Sequence, residues 1–252
     1  MAYETNFAHE IIEQFMLTAN ETVAERFYWL EAPFIYRVHE KPDEDKVKEL
    51  NKYLFNFGYR IKGKLDDVKP KAFSQILEDV KGKDEERVVS NLLLRTLKVA
   101  RYEAENKGHF GISSKYYCHF TSPIRRYPDL FIHRVISKYL EYMSTESNKG
   151  KNVKRNKAVN DIIDENTKAK LEKQAIKYAE SSSECEQNAT KAERASEDIK
   201  KAEYMQDKIG EQYDGIISSI TSWGMFVQLD NTVEGLILSL IHIWRCRRLN
   251  RC

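Results

Sequence analysis

The sequence predicts an α+β chain, mostly helical over residues 1–209 and turning to strand over 210–240, with a tail at 241–252 that fits neither pattern. Three observations carry this reading. Apolar residues recur at helical spacing through most of the first 209 positions. The alternation changes to a period of two after Gln212. Between them, residues 116–130 read as a short strand that runs into a helix.

The first helix covers residues 8–27, where Ile11, Ile12, Phe15, Met16, Ala19, Val23, Ala24 and Phe27 recur with charges between them. Pro33 precedes Phe34–Val38, whose alternation reads as a half-buried strand. A second helix around residues 43–55 places Val47, Leu50, Tyr53 and Leu54 on one side, and Gly58 and Gly63 then bracket a loop or short strand. Lys69-Pro70 opens a third helix with Phe73, Ile76, Leu77 and Val80 facing inward. Residues 85–104, rich in Leu and Val, read as one further helix. Tyr116 to Phe120 reads as a strand, and a helix starting at Pro128 runs to about Tyr142, where a Ser-, Asn- and Gly-containing stretch reads as a solvated loop. Long helix follows to Ile209, interrupted near Ser181–Ser183 and capped by Gly210; its part within 151–180 reads as an exposed, charge-mixed face.

The bulk properties narrow the function classes. At 252 residues and 41% hydrophobic composition the chain has enough apolar material for a packed core. Its net charge is only +2, and four arginines lie in the last eight residues; without them the balance turns negative. That is not the footprint of a protein that coats nucleic acid with a basic face, so any such site is a local channel. Cys118, Cys185, Cys246 and Cys252 are widely separated, without zinc-site or disulfide-framework spacing, and read as reduced thiols. No apolar run spans a bilayer and the N-terminus carries no leader pattern, so a cytoplasmic protein without membrane contact is expected.

The most specific segment is Gly108-His109-Phe110-Gly111 followed by His119-Phe120-Thr121-Ser122-Pro123-Ile124-Arg125-Arg126-Tyr127-Pro128-Asp129-Leu130. Two guanidinium groups beside a helix N-terminus, itself partially positive, are unfavourable unless something negative lies between them. A phosphate suits the planar donor fork of arginine. Equally, Asp129 or a distant carboxylate neutralises both arginines as a structural ion pair.

This segment, with "IIEQFMLTANETVAE", "YRVHEKPDEDKVKELNKYL", "NLLLRTLKVARYEAENKGHFG" and "NATKAERASEDI" in the same order, resembles the ribonuclease II/ribonuclease R (RNB) family of 3′→5′ exoribonucleases, and within it the bacterial ribonuclease R branch. The resemblance spans roughly residues 6 to 209 and implies the C-terminal part of an RNB catalytic domain. It implies a processive hydrolase of single-stranded RNA that releases nucleoside 5′-monophosphates with magnesium, working as a monomer. Arg125 matches the position that contacts the scissile phosphate, with Arg126, Ser122 and Tyr127 near enough to help hold the RNA backbone or support the corner, and Arg126 is expected among the RNA-binding residues. Glu13 matches an RNA-selecting glutamate, a residue type suited to accept a hydrogen bond from a ribose 2′-OH. Glu193 matches another glutamate near bound nucleotides, and Asn20 is placed along the same channel as Glu13. His109 and His133 are expected to be packed supports.

From residue 212 the chain resembles the opening strands of an S1 barrel of the oligonucleotide-binding class, with Trp223 and Phe226 where that family stacks bases. Ring filling of the barrel interior is the plainer role for both. A five-stranded barrel needs about 70 residues, and only about 30 precede the arginine- and cysteine-rich tail. The metal-binding aspartates of the family lie in a first half of the domain that precedes Met1, so no metal ligand is expected here. Asp43/Asp45, Asp66/Asp67 and Asp161/Asp164 lie on charge-mixed segments. The fragment is accordingly expected to be inactive alone; the rival reading is a non-catalytic RNA-binding adaptor with an S1 module.

Overall fold

The computed structural model describes residues 6–63, 68–83, 85–148 and 163–238. In chain order these form α1 (Phe7–Trp29), β1 (Tyr36–Val38), α2 (Glu44–Asn56), α3 (Pro70–Val80), α4 (Glu86–Thr96) and β2 (Arg101–Glu103). A 3-10 turn (Phe110–Ile112), α5 (Tyr127–Asn148), α6 (Glu165–Gln206), β3 (Gly215–Thr221), β4 (Gly224–Leu229) and β5 (Glu234–Leu238) follow. Two compact units meet in sequence at Gln187 and Asn188, within α6. The expected tail at 241–252 lies outside the described residues.

Helix α1 starts with a capping box: the Asn6 side chain accepts the N–H groups of Ala8 and His9, and His9 Nδ1 accepts that of Asn6. Its burial departs from the sequence pattern. Asn20, Ala24 and Phe27 are buried, whereas Phe7, Ile11, Ile12, Phe15 and Met16 are exposed, Phe15 by 69%. No described element covers that first half of the helix.

The segment after α1 is buried on both sides rather than one. Phe34, Tyr36 and Val38 join Phe27, Leu30, Ile132 and Tyr139 in one apolar cluster, while Ile35 joins Tyr102, Phe131, Val135 and Leu171 in another. Successive strand residues point to opposite faces, so this run divides two cores. Helix α5 feeds the same two cores, with Ile132 and Tyr139 in one and Phe131 and Val135 in the other. A third cluster fuses α2, α3 and α4 through Val47, Leu54, Phe73, Val80, Val89 and Leu93, and Phe110 ties it to the 3-10 turn. Tyr53 and Leu77, expected inward, face solvent.

Four expected elements change. Residues 85–104 are not one helix: the chain turns extended at Leu97, and Arg101–Glu103 pairs antiparallel with β1, Tyr102 opposite Arg37. The expected break at Ser181–Ser183 is absent because the Ser183 hydroxyl serves β2. It accepts the Tyr102 N–H at 2.9 Å and lies 3.2 Å from the Tyr102 carbonyl and 2.9 Å from that of Ala179. The face of α6 expected to be exposed buries Leu171, Ala175 and Ala179, a stripe with a spacing of four. Residues 144–148, expected as loop, extend α5, since residues such as Ser, Thr, Glu and Asn cost a helix only tenths of a kcal/mol each, about 0.7 at most.

In the second unit β3, β4 and β5 form an antiparallel meander. Gly224 is required there: a Cβ would lie 2.0 Å from the Ile237 carbonyl oxygen. In the first unit, Leu54 has no exposed surface in the α2–α4 cluster. Leu54→Ala is expected to lower the unfolding free energy by about 2–5 kcal/mol, read from the urea midpoint at constant slope.

Candidate functional site

The predicted strand 116–120 is extended chain without a ladder, held by isolated hydrogen bonds from three elements. The Arg37 N–H donates to the Tyr117 carbonyl at 2.9 Å. Asn20 on α1 is buried, its Nδ2 donating to Tyr117 Oη (3.2 Å), its Oδ1 accepting the Phe120 N–H (3.0 Å) and its carbonyl accepting the Cys118 thiol (3.3 Å). Asn20 is therefore an internal clamp on this segment rather than a channel-lining group. His133 Nε2 lies 3.0 Å from the Phe120 carbonyl, and the two rings stack at 4.4 Å.

The clamp delivers the chain into a tight turn. The Ser122 carbonyl accepts the N–H groups of Arg125 (3.3 Å) and Arg126 (3.1 Å), and α5 begins at Tyr127, one residue earlier than expected. Pro128 sits in the first turn, where no N–H is needed. Asp129, 0% exposed, receives the Ser122 N–H at 2.8 Å and Arg126 Nε and Nη2 at 3.1 and 2.8 Å, all on Oδ2. A carboxylate in the first turn also suits the helix dipole. The two sequence readings thus divide between the arginines. Asp129 pairs with Arg126, while Arg125 is exposed and has no carboxylate partner among the described residues.

Behind the turn lies a group of polar residues whose roles the sequence did not reveal. His119 Nδ1 is 2.9 Å from Tyr102 Oη, and its ring sits edge-on between those of Tyr102 and Tyr117. Burial first, then Arg126 and Arg37, hold the His119 pKa down to about 3. Burial, then His39 and Arg37, lower that of His109 to about 4. Arg37 itself lies over the Tyr102 ring at 4.5 Å and makes a two-point contact with Glu186 at 2.5 and 3.0 Å. Nothing in the spacing pairs Arg37 with a glutamate 149 positions away or His119 with Tyr102.

The other expected site residues are placed separately. Glu13 is exposed on the uncovered half of α1, and Glu193 is exposed on α6 in the second unit. Trp223, 64% exposed, lies in the turn between β3 and β4. Phe226 on β4 is half-buried and lines a groove of about 810 Å³ with Tyr213, Met205 and Leu236. Among the described residues no three His, Cys, Asp or Glu side chains cluster to hold a metal ion. Asp43 is engaged by Lys98 at 2.9 Å, and Asp164 accepts the Thr167 N–H (2.9 Å) and the Tyr142 hydroxyl (3.1 Å). Asp66, Asp67 and Asp161 lie outside the described residues.

Neutral His119 and His109 make stability depend on pH. Their folded pKa values lie below the ordinary 6.5, so beneath pH 6.5 the unfolded chain binds more protons and stability falls with pH down to about 4 and then 3. The Tm is expected to drop progressively across pH 6.5 to 4, with a shallower slope in His119→Phe; an unchanged slope in that variant contradicts the assignment.

A sequence model of the RNB domain matches residues 1–142, the stretch that holds Glu13, the clamp and the whole arginine turn. Ribonuclease R 1 of Lactococcus lactis subsp. lactis is 42% identical over 230 residues, covering 91% of this chain and 26% of that protein. Ribonuclease R of Aquifex aeolicus is 42% identical over 236 residues, covering 93% and 30%. Among solved structures, apo Mycoplasma genitalium RNase R superposes with a TM-score of 0.81 at 31% identity over 94% of this chain and 34% of that one. The same protein in complex with ribose methylated single-stranded RNA gives 0.80. The chain therefore spans about a third or less of the length of these relatives. With more than half of its residues matched and the arginine turn inside the match, the chain belongs to the RNB domain family, alongside the ribonuclease R proteins.

Proposed function

We propose that this chain supplies the phosphate-binding corner of a processive 3′→5′ exoribonuclease that hydrolyses single-stranded RNA to nucleoside 5′-monophosphates in a magnesium-dependent reaction. One observation carries the reading: Asp129 takes Arg126, which leaves Arg125 exposed beside the start of α5 without a carboxylate among the described residues. Hydrolysis of a phosphodiester builds negative charge on the phosphate, and a preorganised donor fork is worth most where that charge develops. In this reading Arg125 contacts the scissile phosphate and Arg126 holds the turn, its remaining N–H groups facing the RNA backbone. Glu13 and Glu193 contact the ribose and backbone of the bound strand. The relative bound to single-stranded RNA supports that ligand class.

The described residues offer no cluster for a metal ion. We place the metal ligands in further RNB sequence that packs on the exposed face of Phe7, Ile11, Ile12, Phe15 and Met16, which agrees with the share of the relatives' length that the chain spans. The β3–β5 meander reads as the opening of an S1 barrel, with Trp223 and Phe226 as base-stacking rings. No helix among the described residues is long and apolar enough to cross a membrane; a cytoplasmic monomer is the setting proposed.

The test uses labelled RNA and magnesium. In a full-length ribonuclease R-type enzyme carrying this sequence, Arg125→Ala is expected to lower turnover by about 100-fold or more while RNA affinity changes by less than about threefold. The 252-residue chain alone is expected to shorten no RNA. Wild-type turnover in the variant overturns the role of Arg125, and a full-length protein that binds but never cleaves identifies an adaptor.

A further inference from the structure

A second basic and aromatic site lies away from the arginine turn, in an open cavity of about 480 Å³. Its lining includes Lys41, Lys107 and Lys115 with Tyr28 and Tyr116, and contains no carboxylate. Lys107 is partly matched by Glu103 at 2.7 Å, but Lys115 makes no ion pair among the described residues. At the rim, the Tyr28 and Tyr116 rings lie 4.7 Å apart, and Trp29 packs edge-on to Tyr28 at 5.4 Å. Tyr28 is 41% and Trp29 66% exposed, so these rings meet solvent rather than a core.

The loop that carries Lys115 and Tyr116 is held in place. His109 and Ser114 exchange backbone bonds at 2.8 and 3.1 Å, and Asn106 ties the Lys115 carbonyl at 3.0 Å and the Gly108 N–H at 3.1 Å. Gly108 has φ +74°, a conformation that glycine adopts without strain. The wall is polar too. His39 Nδ1 accepts the Gly111 N–H at 2.9 Å, which in the neutral ring puts the proton on the buried Nε2.

We propose that this cavity is a second single-strand RNA site, in which lysines take backbone phosphate and the exposed Tyr28 and Trp29 rings stack a base. Cations alone would suit any anion; cations beside exposed rings are the combination that holds a single strand with little sequence preference. Neither Arg125 nor Arg126 lines this cavity, so the site does not depend on the reading of the turn.

The experiment measures binding of a fluorescein-labelled 12-nucleotide oligo(A) to the 252-residue chain by anisotropy at low salt. Variants are Lys115→Gln, Tyr28→Ala and Arg125→Ala, each with far-ultraviolet circular dichroism as a folding check. Lys115→Gln and Tyr28→Ala are each expected to weaken binding about fivefold, additively with any effect of Arg125→Ala. Wild-type affinity in a folded Lys115→Gln overturns the site whatever becomes of the Tyr28 variant. So does equal competition by oligoglutamate of matching charge, or no binding of RNA at all. Loss confined to Arg125→Ala sinks this site; loss confined to the other two upholds it and agrees with the near-unchanged RNA affinity expected of Arg125→Ala, whose role is read from turnover instead.

Discussion

A carboxylate with no solvent contact must be matched by charge and hydrogen bonds or it destabilises the fold, and in this chain the match to Asp129 sets the geometry of everything around it. One oxygen, Oδ2, gathers the Ser122 N–H and two N–H groups of Arg126; the other has no partner among the described residues. The turn from Ser122 to Arg126, the start of α5 and the outward direction of Arg125 follow from that single point of attachment. Had Asp129 paired with both arginines, no cation would remain for a ligand. Buried pairs of this kind add little net stability and a great deal of position.

The segment entering the turn is positioned without a strand ladder. Asn20 from α1 contributes three bonds to residues 117–120, and the Arg37 N–H from β1 and His133 from α5 one each. Behind it, Arg37, Tyr102, His119 and Glu186 join β1, β2 and α6 through a cation over a ring, a two-point ion pair and an imidazole bond. The imidazole is neutral because burial and the neighbouring guanidinium groups both disfavour its charged form. Adding positive charge there would set it against Arg126 and Arg37, the nearest guanidinium groups.

What was legible in the sequence was local. The spacing in α2 and α3, Pro70 at a helix start and the change of period after Gln212 each report a few neighbouring residues, and the helices and meander follow. The motif segment also pointed to the arginines. What was not legible required partners far along the chain. β2 reads as helix until Ser183 satisfies its edge; Ser183 in turn reads as a breaker until β2 is present. Asn20 reads as lining the same channel as Glu13 until the Phe120 and Tyr117 groups it binds, about 100 positions on, are placed beside it. Which arginine Asp129 would take depends on the turn at Ser122, a matter of backbone path that residue types leave open.

The division of labour between the two arginines is best tested by recording the arginine Nε–H signals of the chain while titrating a short oligoribonucleotide. The Arg125 signal is expected to shift and sharpen on RNA addition, with Arg126 already protected from exchange and unmoved. An Arg125 signal that stays fixed while that of Arg126 moves would contradict the account at its centre.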